Sequence, residues 1–147
     1  MDALRLMEQD HIEVKGLLEQ LGRTDEDAEE TREQIFTELR QQLEAHETME
    51  EEVFYPSLVE HPKAREVVLE GYEEHHAVDL LLEDIADVPY EGEEWTAKFK
   101  VIRENIEHHI EEEEGEMFSR ARNVFSDEEL EELGGEMEER KLAVLHR

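Results

Sequence analysis

Apolar residues recur every three or four positions through four long stretches of the chain. An α-helix turns once every 3.6 residues, so this spacing places them on one helical face. The first three stretches end near Gly22, before Pro56, and before Pro89 and Gly92. Pro56 also disfavours helical backbone at Tyr55. The fourth stretch has the most regular spacing. Its inward-facing positions, which we call the seam of the helix, are Trp95, Phe99, Ile102, Ile106, His109 and Glu113.

Four such helices joined by short connections predict an all-α protein, an antiparallel up-down four-helix bundle. After the bundle, Ser126 with Glu129 three residues later is typical of a helix capping box. This predicts a short, polar C-terminal helix, which Gly134-Gly135 should weaken. We therefore expect a bundle over residues 1–122 and a helical extension over 123–147 that is appended to the core.

Each of the four predicted seams contains a histidine, and two of these are followed by glutamate four positions later. Residues four apart are neighbours on one helical face, so each His/Glu pair can point an imidazole and a carboxylate at the same place. The resulting candidate ligands are His11, His46, Glu50, His75, His109 and Glu113. His76 and His108 point about 100° away from the seams, so we interpret them as solvated or as neighbours of the ligands rather than as ligands. His61 and His146 fit no pattern, and we interpret them as surface residues.

The first and second halves of the chain resemble each other. The residues around His11 match those around His75 at an offset of 64, and the His46/Glu50 pair matches His109/Glu113 at an offset of 63. The near-equality of the offsets predicts a bundle with a pseudo-two-fold internal repeat and a site on its axis.

Two glutamates in a bundle core are costly unless positive charge neutralises them, and a pair of metal ions bridged by Glu50 and Glu113 does so directly. Four imidazoles and two bridging carboxylates supply about eight ligand atoms, whereas two octahedral ions take about twelve. Candidates for additional ligands lie one turn from the seam histidines, at Glu8, Tyr72 and Asp79.

The charge and cysteine content of the chain exclude several classes of partner and site. With 44 Asp and Glu against 15 Lys and Arg, the net charge of −29 disfavours nucleic acid and anionic membranes as partners. The chain contains no cysteine, which excludes disulfides, thiolate zinc sites and iron–sulfur clusters. It shows neither a signal-peptide pattern nor an apolar run of the ~20 residues that span a membrane, so we expect a cytoplasmic protein. We expect it to be a monomer or a homodimer.

The histidine and glutamate motifs resemble those of the hemerythrin-like family of HHE cation-binding domains. The resemblance covers residues 1–122 and rests on Asp10-His11, the segment 46–56, Glu73-Glu74-His75 and the segment 109–118. It implies two iron ions joined by an oxo or hydroxo bridge. By this resemblance, the terminal iron ligands are His11, His46, His75 and His109, and the bridging carboxylates are Glu50 and Glu113. Family members variously carry oxygen, sense oxygen or iron, remove peroxide or store iron.

The sequence departs from the oxygen-carrying hemerythrins at one position. Those proteins have a second histidine four residues after the third-helix histidine, and here that position is Asp79. An oxygen ligand in its place favours the ferric state, and with it peroxide turnover over reversible carriage. We therefore expect a protein that binds or reacts with dioxygen or hydrogen peroxide, with catalase-like peroxide removal favoured. The alternatives are a carrier, sensor or store without turnover, and an acidic helical interaction module with vestigial ligands.

Overall fold

The computed structural model describes residues 1–147 and contains only helices and their connections, with no β-strand. The long helices are α1 (Ala3–Gly22), α2 (Glu29–Met49), α4 (Arg65–Ile85), α5 (Glu93–Glu112) and α7 (Asp127–Leu145). Two short helices, α3 (Tyr55–Leu58) and α6 (Phe118–Val124), each follow a π-helical turn, the first over Glu50–Phe54 and the second over Glu113–Met117. The all-α prediction is therefore confirmed.

The first π turn corrects the expected end of the second helix. The helical path does not stop before Pro56 but continues through the π turn and α3 to Leu58. In the π turn the N–H of Tyr55 donates to the carbonyl of Glu50, and Pro56 then occupies the first turn of α3. Proline is tolerated there because its missing N–H is not required for helical hydrogen bonding.

Two clusters of buried apolar side chains form the core. One contains Met7 of α1, Met49 of α2, Val68 of α4 and Phe118 of α6, and it also takes in side chains of α7. The other contains residues farther along α1, such as Val14, together with the amino-terminal part of α2, the carboxyl-terminal part of α4 and most of α5. Along α1, α2, α4 and α5 the boundary between the clusters falls at or close to the seam histidine. None of the helices combines the length and the apolar composition of a membrane-spanning segment.

Helix α7 packs into the core and is not a loose appendage. It contacts both α1 and α2. Leu130 and Met137 are buried in the first cluster, and the predicted Ser126/Glu129 capping box is confirmed. The helix runs unbroken through Gly134 and Gly135. Gly134 lies against the backbone of Met1 and Asp2, where a side chain has no room.

This contact yields a matched pair of predictions for the two glycines. Gly134→Ala should lower the free energy of unfolding by about 1–3 kcal/mol, since its Cβ would collide with the carbonyl oxygen of Met1. Gly135→Ala should raise it by roughly 0.5–1 kcal/mol, because nothing lies near its Cβ and alanine favours helix. Urea unfolding of both variants checks this, and equal effects of the two would contradict the packing of α7.

Arg32 is a buried cation beside the second cluster. Its guanidinium is buried, donates to the hydroxyls of Thr24 and Thr96 and to the carbonyl of Tyr90, and lies 4.7 Å from the ring centroid of Trp95. The side chain thereby joins the α1–α2 connection to the start of α5. The hydroxyl and carbonyl oxygens accept hydrogen bonds from the buried guanidinium. Burial of a polar group is tolerated when its hydrogen bonds are made in this way.

Candidate metal centre

The four seam histidines and the two glutamates that follow them meet at one place between the apolar clusters. His11 lies on α1, His46 on α2, His75 on α4 and His109 on α5, and the two glutamates begin the π turns. All six side chains are buried, with Glu50 and Glu113 at 0% exposure. π-helical turns occur mostly as single turns inside α-helices and frequently at functional sites. The two turns here each place a carboxylate in the core.

The imidazole Nε2 atoms face the two carboxylates. The Nε2 of His11 lies 2.9 Å from Oε1 of Glu113, and the Nε2 of His75 lies 3.0 Å from Oε1 of Glu50. His46 approaches both carboxylates, at 3.2 Å and 3.5 Å, and His109 lies 3.3 Å from Oε2 of Glu113. Two sets of three ligand atoms result, His11/His46/Glu113 and Glu50/His75/His109, and within each set the atoms lie within 4.8 Å of one another.

The opposite ring nitrogens, the Nδ1 atoms, each contact an outer carboxylate. The four pairs are His46 with Asp10 at 2.9 Å, His75 with Glu51 at 2.8 Å, His109 with Glu74 at 2.7 Å and His11 with Glu114 at 2.6 Å. Metal-binding histidines usually donate their second N–H to such a partner, which fixes the ring and its tautomer. The sequence motifs contained these four acids as neighbours of the predicted ligands, but seam positions alone gave them no role.

Three buried atoms of the centre have no hydrogen-bond partner: Nε2 of His46, Nε2 of His109 and Oε2 of Glu50. Leaving a buried polar atom unsatisfied costs about 1–3 kcal/mol, so such atoms call for an explanation. All three are nitrogen or carboxylate oxygen lone-pair donors of the type that binds iron, manganese or zinc. The residues present therefore fit a bound cation.

The pKa values of the buried histidines and of Glu113 also indicate that the centre favours positive charge. Burial opposes protonation of His109, but attraction to Glu113 and hydrogen bonding outweigh it and raise its pKa to about 10. Burial likewise opposes protonation of His75, and hydrogen bonds to Glu50 and Glu51 raise its pKa to about 9. Burial acts to raise the pKa of Glu113, yet hydrogen bonding with Glu50 and the neighbouring His109 hold it well below its usual range. Protons on the histidines thus supply the positive charge that a metal ion would replace.

Tyr55 is a residue of the centre that the sequence reasoning missed. Its buried hydroxyl donates to Oε2 of Glu113 at 3.0 Å and lies 3.4 Å from Nε2 of His75. Gly71 on α4 makes room for it, since a Cβ there would lie 2.8 Å from the hydroxyl oxygen. A tyrosine directly before Pro56 carries no helical-face signal, so the continuation of the helix through the π turn had to be known first.

The three candidates for additional ligands lie away from this cluster. Glu8 and Asp79 are exposed on their helices. Tyr72 is half-buried and packs edge-on against Tyr55, with ring centroids 5.0 Å apart. His76 and His108 are exposed, as their helical phase predicted.

Tyr55 and Tyr72 provide a matched pair for a test of this geometry. Tyr55→Phe should lower the free energy of unfolding of the metal-free protein by about 1.5–3 kcal/mol, because it removes a buried hydrogen bond to a carboxylate. Tyr72→Phe should change it by less than about 0.5 kcal/mol, since no hydrogen bond of that hydroxyl is lost. Chemical denaturation measures both, and a larger loss for Tyr72→Phe would contradict the placement of Tyr55.

A small cavity adjoins the centre on the side of the second apolar cluster. Its volume is about 30 Å³. The lining residues are His11, Val14, Leu43, His46, Glu47, His75, Val78, Ile106, His109 and Ile110. Such a space holds a molecule of about the size of one or two waters.

Comparison with known proteins places this geometry in a family. The family model of the hemerythrin HHE cation-binding domain matches residues 2–121, which include the four seam histidines, Glu50 and Glu113. The chain belongs to this family. The chain is also 29% identical over 138 residues to uncharacterized proteins of Mycobacterium tuberculosis and Mycobacterium bovis, a match that covers 93% of the chain and 83% of each relative.

A solved structure shows the same fold. It is a crystal structure of a hemerythrin HHE cation-binding domain-containing protein from Mycobacterium kansasii, a homolog of the tuberculosis protein. The TM-score is 0.87 at 27% sequence identity, and the match covers 98% of this chain and 87% of that one. The match extends beyond residue 121, so it takes in most of α7 as well as the family domain.

Proposed function

We propose that this HHE-domain protein is a non-haem di-iron protein that reacts with dioxygen or hydrogen peroxide, with peroxide removal as the favoured reaction. The observation that carries the proposal is the buried cluster of four imidazoles and two carboxylates, three of whose atoms have no hydrogen-bond partner. Membership of a cation-binding family supports the metal, and the mixed nitrogen and oxygen ligands favour iron.

The proposed ligand set follows the two groups of the cluster. One ion would be held by His11, His46 and Glu113, and the other by Glu50, His75 and His109. Both carboxylates lie between the groups, because Glu50 also approaches His46 and Glu113 also approaches His109, which suits a bridging role. Two iron ions at these positions would supply a pair of Lewis acids that also exchange electrons.

Cavity size and charge support a small, uncharged substrate. A space of about 30 Å³, bordered by five aliphatic side chains on one side and by the four imidazoles and Glu47 on the other, has room for a diatomic molecule or hydrogen peroxide. The net charge of −29 repels anions at long range, while neutral molecules are unaffected.

Proton handling supports peroxide removal in particular. Disproportionation converts two hydrogen peroxide molecules into two waters and one dioxygen, so protons must move between the oxygens. The Tyr55 hydroxyl is positioned to hold or move a proton at Oε2 of Glu113. The Nδ1 contacts of the four histidines fix the rings during such transfers, since each outer carboxylate holds one ring in place.

We further propose that the four bundle helices run up and down in alternation, with a pseudo-two-fold relation between the halves. The contacts of the outer acids support this. Asp10 on α1 pairs with His46 on α2, as Glu74 on α4 pairs with His109 on α5. Glu51 and Glu114, which follow Glu50 and Glu113, contact histidines of the other half of the chain. Glu51 pairs with His75, and Glu114 pairs with His11.

The test is to purify the protein with its natural metal load, count iron per chain, and add hydrogen peroxide while recording the visible spectrum and dissolved oxygen. About two irons per chain with oxygen released at half the rate of peroxide consumption would support the proposal. Two irons with a stable spectral shift and no oxygen release would point instead to a carrier or sensor. A protein without bound metal, and unable to take up iron, would overturn it and favour an interaction module.

A further inference from the structure

The outer carboxylates differ in their surroundings. Glu74, Glu114 and Glu51 are 26%, 35% and 39% exposed, so water can solvate them. Asp10 is only 5% exposed and needs a partner inside the protein. That partner is Lys141 on α7, whose Nζ lies 2.5 Å from Oδ1 of Asp10 while Oδ2 accepts the Nδ1 of His46 at 2.9 Å.

No other lysine or arginine forms an ion pair with an outer carboxylate. Glu74, which corresponds to Asp10 in the internal repeat, has only the exposed His108 near its second oxygen, at 3.7 Å. Lys141 also lies outside residues 2–121, the part of the chain that the family model matches. The C-terminal helix thus contributes a contact to one half of the centre that the other half lacks.

We infer that Lys141 is a positioning residue of the metal centre, which fixes Asp10 and through it the imidazole of His46. This inference rests on the proposed metal site. An aspartate held at both oxygens cannot rotate, so the ring it contacts keeps one orientation. The His11/His46/Glu113 position is therefore not equivalent to the Glu50/His75/His109 position.

Lys141→Gln tests this, with Lys141→Arg as the conservative variant and Arg140→Gln as the control. Arg140 is the neighbouring residue on α7 and pairs with exposed Glu52 at 2.9 Å, away from the histidines. Zinc is the probe, because His/carboxylate sites accept it and it is diamagnetic and redox-inert. Calorimetric zinc titration of the metal-free proteins gives the affinity of each position, and long-range ¹H–¹⁵N spectra report each histidine ring.

We expect Lys141→Gln to weaken the binding of one of the two zinc ions by about tenfold and to leave the binding of the other unchanged. This is the lower end of the effect of losing a direct partner of a ligand, because Lys141 acts on His46 through Asp10. The His46 ring signals should shift while those of His109 stay in place. Lys141→Arg should keep the zinc affinities and the His46 ring signals of the unmodified protein, and Arg140→Gln should change neither. Unchanged zinc affinities and an unshifted His46 would overturn the inference. Equal shifts at His46 and His109 would also overturn it, since they would indicate a general loosening of α7.

The same experiment separates this inference from the proposed function. If the unmodified protein takes up neither zinc nor iron, the proposed metal centre fails. The contact of Lys141 with Asp10 is then judged on the spectra of the metal-free proteins. There, a shift confined to the His46 ring in Lys141→Gln supports the positioning role, and an unshifted His46 overturns it.

Discussion

Replacing Glu113 with alanine should abolish metal binding and peroxide turnover together. The side chain is fully buried, accepts hydrogen bonds from Tyr55 and His11, and lies within 3.5 Å of His46 and His109. Without it the centre loses one of the two carboxylates that contact ligands of both proposed positions. Metal content should fall from about two ions per chain to none, and the visible spectrum of the iron centre should disappear.

The matched control for Glu113→Ala is Glu111→Ala, an exposed glutamate on the same helix, which should retain both ions. Glu113→Gln is a second variant that keeps the shape and hydrogen-bonding capacity of the side chain but removes its charge. Circular dichroism shows whether each variant remains helical. A helical Glu113→Ala protein that still binds two irons and consumes peroxide would refute the ligand assignment.

The positions of the histidines were predictable because one physical rule governs them. Apolar spacing fixes the phase of each helix, and a histidine in that phase must point inward with the apolar residues. Glu50 and Glu113 follow at four residues and share the phase. The same rule correctly placed His76 and His108 on the surface.

The rest of the site depends on features that helical phase does not describe. A regular α-helix would turn Glu51 and Glu114 away from the seam, but both follow the first residue of a π turn and contact Nδ1 atoms on other helices. Tyr55 reaches the centre because the helix continues past it and because Gly71 leaves room for its hydroxyl. These are consequences of backbone geometry and tertiary packing, which sequence periodicity does not contain.

The fifth helix illustrates the same limit. Its capping box was readable because Ser126 and Glu129 interact locally. Its docking was not, because a polar helix with two adjacent glycines has the pattern of a weak appendage. The glycine at 134 instead permits close approach to the amino terminus, and Lys141 then meets Asp10 across 131 residues of sequence.

Metal removal should reverse the dependence of stability on pH. In the metal-free protein the pKa values of His75 and His109 are raised to about 9 and about 10 from 6.5. Their contribution to stability is therefore fully present below pH 6.5 and is lost as the pH rises through 9 and 10. Glu47 acts in the same direction, since its burial, together with nearby carboxylates, raises its pKa to about 8 and its ionisation then costs stability as the pH rises. The metal-free protein should thus become less stable between pH 6 and 9.

Bound metal changes the sign because the ligands must be deprotonated to bind it, so affinity increases as the pH rises. Stabilisation by a ligand that binds only the folded state reaches about 4 kcal/mol at a concentration 1,000 times the dissociation constant. The difference in Tm between loaded and metal-free protein should therefore be small at pH 6 and large at pH 9. Differential scanning calorimetry at constant ionic strength measures it, with Glu113→Ala as the control that shows no difference at either pH. A Tm difference that shrinks as the pH rises would mean that the metal does not replace protons on these histidines.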